Sequence, residues 1–149
     1  MASLFEIKEI EIFYKSDTLK ADRNKITSSV DAYAIFLKSY VSKIEYQEVF
    51  SVMFLNNNND VLGIKTISTG SITGTLVDIR LIFQTALKAH ATGLILCHNH
   101  PSGNLKPSQA DKDLTAKIKK GAQFLDIKLL DHLIITSENY TSFADDNIL

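Results

Sequence analysis

An apolar run at residues 94–97 leads directly into two histidines and a proline, His98-Asn99-His100-Pro101. If the run is a β-strand, His98 and His100 lie two positions apart and project from the same face of the sheet. Pro101 has no N–H to donate to a strand ladder, so the strand must end there. The imidazole of His100 then lies at the end of the strand. The sequence therefore predicts a buried strand that carries two imidazoles to one end of a sheet.

A helix that begins with a carboxylate is predicted shortly after this strand. Gly103 and Pro107 indicate a loop, and the periodicity of residues 108–124 predicts a helix with Asp111 in its first turn. Two neutral imidazoles and one carboxylate form a three-ligand set for a divalent metal, with a fourth position left for water, as in catalytic zinc sites. Such ligands bind when deprotonated, so metal binding should weaken on acidification. The alternative is that both histidines simply end a strand at the surface.

The remaining pattern predicts an α/β fold. Strands are expected at 5–14, 49–55, 61–67, 128–136 and 140–143, helices at 28–40 and 76–90, a polar arm at 15–27, a turn at 56–60 and a loop at 69–74. The order β-α-β-β-α-β-α-β predicts a mixed sheet between layers of helices, an αβα sandwich. We therefore expect an N-terminal strand and polar arm at 1–27 and one folded domain at 28–149.

Charge, cysteine content and hydropathy limit the classes of function that are open to the chain. A formal charge of −1 gives no general attraction to nucleic acid. Cys97 is the only cysteine, so no intramolecular disulfide can form, and its alternation away from the histidines favours a small core residue over a thiolate ligand. The N-terminus lacks the layout of a signal peptide, and no apolar stretch approaches the roughly 20 residues that span a bilayer. We expect a cytoplasmic protein with no membrane partner.

The spaced motif H-x-H-P-x6-S-x2-D, at residues 98–111, resembles the metal motif of the JAB/MPN (JAMM) metallohydrolases. With Pro-Ser-x-x-Asp at 107–111 and Leu-Asp-His at 130–132, it is similar to the RadC-like branch of that fold, from about Ser28 onward. The resemblance implies the JAB1/MPN (cytidine-deaminase-like) architecture. It also implies a Zn²⁺-dependent peptidase or isopeptidase that uses a metal-activated water. Full-length members carry a further N-terminal helical domain, for which these residues leave no room.

The resemblance also implies roles for individual residues. It makes His98, His100 and Asp111 the metal ligands, and Ser108 a donor to the developing oxyanion. A glutamate at the start of the strand after the first helix serves as the base, and Glu48 matches that position better than its rival Glu45. Ser-x-x-Asp is also a variant of the helix capping box, a structural role that is compatible with the catalytic one.

Two further interpretations stay open. Asp131 and His132 interrupt an apolar strand and face opposite ways, so either one of them orients a ligand imidazole or both make buried polar contacts. The alternative to a hydrolase is a non-enzymatic module that binds DNA or repair proteins through the cationic arm at 15–25. For the hydrolase, the expected partner is an extended peptide or isopeptide-linked protein, bound by analogy at a strand edge.

Overall fold

A computed structural model describes residues 9–70 and 76–149, which form one sheet with helices on both faces. The elements are α1 (Ser29–Tyr40), β1 (Val49–Leu55), β2 (Val61–Thr69), α2 (Ile79–Lys88), β3 (Gly93–Asn99), α3 (Gln109–Phe124), β4 (Lys128–Ile135) and β5 (Tyr140–Ser142), preceded by a 3₁₀ turn at Lys20–Asp22. In the described residues no helix has the length and apolar character needed to cross a membrane.

The five strands are ordered β2-β1-β3-β4-β5, with β3 in the centre. Only the β3–β4 pair is parallel, and the connection between these strands runs through α3. The pairs β1–β2, β1–β3 and β4–β5 are antiparallel. The predicted mixed α/β sheet is thus confirmed, and every residue of β1 and β3 is buried.

Alternation along the strands divides the core into two layers. On one face, α1 covers residues such as Met53 and Cys97. On the other, α2 and α3 cover residues such as Phe50 and Leu96. Cys97 therefore lies in the α1-side core, as the alternation predicted, and burial raises the pKa of its thiol well above the ordinary value.

The helices begin where polar side chains can accept their free N–H groups. Asp31 accepts from the backbone N–H of Ser28 at the start of α1, and Asp78 accepts from Arg80 at the start of α2. The cap at Asp78 explains why α2 begins at Ile79 and not at residue 76 as predicted. Helix α3 begins after Ser108, whose side chain and that of Asp111 form a capping box.

The predicted N-terminal strand is wrong over residues 9–14, and its residues 5–8 lie outside the described part of the chain. Ile10, Ile12 and Phe13 are mostly exposed. An alternating sequence forms a strand only where another strand satisfies its backbone, and the described residues offer 9–14 no such partner. Residues 71–74 of the predicted loop also lie outside the described part, whereas Thr69 is the last residue of β2. The boundary proposed at residue 27 stays a prediction.

Candidate metal centre

The end of β3 and the first turn of α3 bring His98, His100 and Asp111 together. One ligand atom from each lies within 4.8 Å of the others. The His98 Nε2 and His100 Nε2 atoms are 2.9 Å apart, and His98 Nε2 is 3.2 Å from Asp111 Oδ1. His100 Nε2 lies 3.8 Å from Asp111 Oδ2. In a tetrahedral zinc site with bonds of about 2.0–2.1 Å, the donor atoms lie about 3.3 Å apart, so these spacings fit such a site.

His100 is oriented by the loop that follows it. The N–H of Gly103 donates to the carbonyl of His100 (2.9 Å), and Gly103 adopts φ +81°, a conformation that favours glycine. This turn brings the carbonyl oxygen of Asn104 to 2.5 Å from His100 Nδ1. A carbonyl only accepts, so Nδ1 carries the proton and Nε2 of the neutral imidazole offers a lone pair. This is the usual backbone contact of a metal-binding histidine.

Asp111 has two structural roles at once. Its Oδ2 accepts from the N–H of Ser108 (2.7 Å), which caps α3, while its Oδ1 faces His98. Burial raises the pKa of Asp111, but the contact with His98 and the hydrogen bonds from Ser108 outweigh burial and hold the pKa well below its usual range. The carboxylate is therefore ionised at neutral pH and available to a cation.

These contacts make the cluster chemically suited to a divalent metal. Two imidazole nitrogens and a carboxylate approach each other on the α2/α3 side of the sheet, and all three are acceptors when the imidazoles are neutral. Acceptors at such distances repel each other unless a proton or a cation lies between them. A site of this composition can hold a metal ion, and nitrogen and oxygen ligands suit zinc among others.

Ser108 lies at the N-cap of α3, beside this cluster in sequence and exposed to solvent. Its Oγ accepts from the N–H of Asp111 (3.0 Å), so the predicted capping role is present. Accepting this bond leaves the hydroxyl proton free to donate elsewhere. The capping and catalytic interpretations of Ser108 are therefore compatible in the structure.

The two candidate bases occupy different sides of the sheet. Glu48 directly precedes β1, whose register places Phe50 opposite His98. Extended by two residues, this register puts Glu48 opposite His100 and on the same face as the histidines. Glu45 is exposed in the turn after α1 and lines a groove with Leu37 on the other face. The topology supports Glu48 over Glu45.

Asn99 lies between the two histidines and faces the opposite layer, where it holds the α1–β1 connection. Its amide donates to the carbonyls of Ile44 (2.9 Å) and Gln47 (2.8 Å) and accepts from the N–H of Val49 (2.7 Å). This fully buried side chain thus fixes the backbone on both sides of Glu48 relative to β3. The alternation of the sequence put Asn99 on this face but gave no partner for it.

We expect Asn99→Ala to destabilise the fold by about 3 kcal/mol, because each buried backbone group left without a partner costs about 1–3 kcal/mol. Urea unfolding followed by circular dichroism measures the change. The control is Asn104→Ala, whose exposed side chain accepts only from Lys106, and its loss should stay within about 0.5 kcal/mol. A loss below about 1 kcal/mol for Asn99→Ala would contradict the assigned role.

Asp131 and His132 face different core layers. Asp131 faces the α1 side of the sheet, and His132 faces the α2/α3 side. Asp131 accepts from the Ser142 hydroxyl (2.6 Å) and from the N–H of Ala144 (3.0 Å), so it joins β4 to the turn after β5. Burial raises the pKa of Asp131. Its role is the buried polar contact that was one of the two open interpretations.

His132 lies on the metal side and contacts a ligand. Its Nε2 is 2.8 Å from His98 Nδ1, and its Nδ1 is 2.6 Å from the Thr115 hydroxyl. Burial lowers the pKa of His132 well below the ordinary value. No motif in the sequence marks Thr115, although it lies four positions after Asp111 and therefore on the same helix face.

Comparison with known proteins agrees with this fold. A family model described as a RadC-like JAB domain matches residues 26–148, which include every residue of the cluster. The chain belongs to the RadC-like JAB domain family. The resemblance drawn from the metal motif is thereby confirmed, and so is the α/β architecture that it implied.

Relatives of this RadC-like domain carry uninformative names. A "UPF0758 protein" from Flavobacterium johnsoniae is 54% identical over 124 residues, which cover 83% of this chain and 53% of the relative. One from Gloeothece citriformis is 52% identical over 96 residues, 64% of this chain and 40% of the relative. One from Chlorobaculum tepidum is 35% identical over all 149 residues, which cover 64% of the relative. The chain thus spans about half the length of the curated relatives it matches.

Proposed function

We propose that this RadC-like domain is a zinc-dependent hydrolase that cleaves an amide or isopeptide bond. The observation that carries the proposal is the convergence of His98 Nε2, His100 Nε2 and the ionised Asp111 carboxylate at one end of the sheet. Three such ligands leave one position of a tetrahedral zinc ion open, which is the property of catalytic sites. When bound, the zinc ion supplies a Lewis acid that polarises a water and the scissile carbonyl.

The chain's own residues supply the remaining chemistry. Glu48 takes a proton from the attacking water as the new C–O bond forms, and then delivers this proton to the amine nitrogen as the C–N bond breaks. The Ser108 hydroxyl donates to the carbonyl oxygen as negative charge develops on it. Neither step requires a charged residue beyond those already at the end of β3, just before β1 and in the first turn of α3.

The substrate class in this proposal is an extended peptide or an isopeptide-linked protein. Within the described residues, β2 pairs with another strand only on its β1 side, and its other side is bonded at its first residue, where the N–H of Val61 donates to the carbonyl of Asn24. Its last residue, Thr69, pairs with Val49, next to Glu48. A peptide added along the free edge would form main-chain hydrogen bonds with β2 and approach the base, which supports this binding mode.

The test is hydrolysis of a library of peptides and isopeptide-linked peptides by the zinc-loaded protein in H₂¹⁸O. We expect a cleaved product with ¹⁸O in its new carboxylate, and loss of cleavage on chelation. The matched variant is Asp111→Asn, whose amide oxygen can still accept from Ser108 at the cap while the ligand charge is lost. Cleavage by Asp111→Asn at the wild-type rate, or metal-independent cleavage, would contradict the proposal.

Ser108→Ala should separate the two roles of this residue. Loss of the cap should cost about 1 kcal/mol of stability, measured by urea unfolding. Loss of the oxyanion donor should lower turnover by about 10²–10³, measured on any substrate from the library. Ser108→Asp is the control, because it caps α3 without donating a hydroxyl proton and should lower turnover alone. Unchanged turnover in Ser108→Ala would remove it from the mechanism.

The alternative, a DNA-binding or repair-associated module, depends on the cationic arm. Lys25 donates to Asn58, and the charges of Lys25 and Arg23 help to lower the pKa of Asp60 after the larger effects of Asn56 and Asn58. Two of the arm's cations are therefore partly balanced within the fold, which favours the hydrolase. DNA binding that weakens steeply as salt rises would support the alternative instead.

A further inference from the structure

His98 has no backbone carbonyl at its second ring nitrogen. Its Nδ1 instead faces the Nε2 of another imidazole, His132, at 2.8 Å. In such a pair one nitrogen must donate and the other must accept, so the proton positions of the two rings are coupled. Which ring donates decides whether His98 Nε2 offers a lone pair or an N–H to the metal position.

The contacts of Thr115 decide this proton assignment. The Thr115 hydroxyl is 2.6 Å from the carbonyl oxygen of Asp111 and 2.6 Å from His132 Nδ1. The carbonyl can only accept, so the single hydroxyl proton goes to Asp111. His132 Nδ1 must then donate to the Thr115 oxygen.

The second nitrogen of His132 follows from its surroundings. The ring is fully buried, stacked on Phe143 with centroids 4.7 Å apart and met edge-on by Phe50 at 5.8 Å. Burial between apolar rings favours the neutral imidazole, in which only one nitrogen carries a proton. With that proton on Nδ1, the Nε2 atom of His132 accepts, and His98 Nδ1 donates to it.

We propose that His132 is a positioning residue that holds His98 in the Nδ1–H tautomer, so that the His98 Nε2 lone pair faces the metal position. The hydrogen bonds run from His98 to His132, from His132 to Thr115 and from Thr115 to the carbonyl of Asp111. The relay therefore begins at one metal ligand and ends on the backbone of another. It locks β3, β4 and α3 in the register in which the ligand atoms meet. The inference rests on the proposed function for its metal, but not on catalysis.

The first test uses the zinc-loaded protein and long-range ¹H–¹⁵N spectra of the histidine rings, because without a cation the Asp111 carboxylate competes for a proton on His98 Nε2. We expect wild-type His98 to carry its proton on Nδ1 and to bind zinc through Nε2. His132→Phe keeps a ring of similar shape but removes the acceptor, so the Nδ1–H signal of His98 should move and exchange faster with water. Zinc bound through His98 Nδ1, or an Nδ1–H signal unchanged in His132→Phe, would overturn the inference.

The second test measures zinc affinity at fixed pH by competition with a chromophoric chelator. Loss of such an outer hydrogen bond costs about 10–100-fold in metal affinity, which we expect for His132→Phe. His132→Gln, whose amide oxygen can accept from His98 Nδ1, should recover most of the loss. Thr115→Val removes the acceptor for His132 Nδ1 without touching His98 and should weaken zinc in the same direction. If His132→Phe fails to fold, Thr115→Val still tests the inference.

The outcomes separate this inference from the proposed function. Wild-type zinc affinity in His132→Phe and Thr115→Val would overturn the relay while leaving a hydrolase possible. Tight zinc binding with the expected tautomer, but no cleavage of any amide, would overturn the hydrolase and support the relay. A purely structural role for His132 would lower stability without changing the His98 Nδ1–H signal or the zinc affinity, and would also overturn the inference.

Discussion

His98→Ala is expected to abolish zinc binding, because it removes one of three protein ligands, the one whose nitrogen lies nearest to the other two, at 2.9 Å from His100 Nε2 and 3.2 Å from Asp111 Oδ1. Protein purified without added metal or a chelating tag should contain about one zinc ion per chain, as a three-ligand site predicts. The variant should lose more than the roughly 10–100-fold in affinity that outer-sphere changes cost. Elemental mass spectrometry and chelator competition measure both quantities.

The matched control for this experiment is His90→Asn. His90 lies at the C-terminal end of α2, away from the cluster, where its ring stacks on Tyr14. It adopts φ +55°, a conformation that asparagine tolerates better than alanine. His90→Asn should therefore keep full zinc content. Zinc retained by His98→Ala, or absent from the wild type even at micromolar zinc, would contradict the metal centre.

Acidification should release the zinc, because acid protonates the ligand atoms and a protonated ligand cannot bind a metal. The pKa of Asp111 is held well below its usual range, so its carboxylate is the last of the three ligands to be neutralised by acid. Imidazole binds a metal only when it is deprotonated, so loss of zinc as the pH falls is expected to begin at the histidine ligands.

Glu48→Gln is expected to lower turnover by about 10²–10⁴ while leaving zinc bound, since a general base contributes about that factor and Glu48 is not a ligand. Gln keeps the size and hydrogen-bonding capacity of the side chain but cannot accept the proton of water. Glu45→Gln is the matched control, because Glu45 lies on the α1 side and should leave turnover unchanged. The measurement is initial rate at saturating zinc on a substrate from the cleavage library.

The activities of Glu48→Gln and Glu45→Gln also decide between the two candidate bases. A large loss in Glu45→Gln with none in Glu48→Gln would show that the register argument fails at the start of β1. Loss of zinc in Glu48→Gln would instead make Glu48 a ligand. Full activity of both variants would contradict general-base catalysis by either residue.

Much of the fold could be predicted because its signals are local. The apolar strand that ends at Asn99, just before His100 and Pro101, the cap at Ser108 and the turn before Val61 each depend on neighbours within a few residues, and all three lie where the pattern placed them. The spacing of His98, His100 and Asp111 likewise follows from one strand, one loop and one helix that are contiguous in the chain. The metal cluster is in this sense a local motif.

The failures and omissions involve partners distant in sequence. Residues 9–14 alternate like a strand, but a strand exists only if another strand accepts its hydrogen bonds, and alternation does not reveal that partner. Asn99 is an unexplained polar residue in an apolar strand until its contacts with the α1–β1 connection, more than 50 positions away, are known.

The sequence by itself determined the candidate ligands, the single buried cysteine and the layered α/β class, because periodicity and short spacing carry that information. Only the tertiary structure decided that the register of β1 puts Glu48 on the face of the histidines and that Asp131 is a structural anchor. It also decided that His132 of β4 contacts His98 and that Thr115 of α3 contacts His132. The physical reason is that hydrogen bonds between strands and helices join residues 17 to 55 positions apart. Their proton donors and acceptors can be assigned only when all partners are seen together.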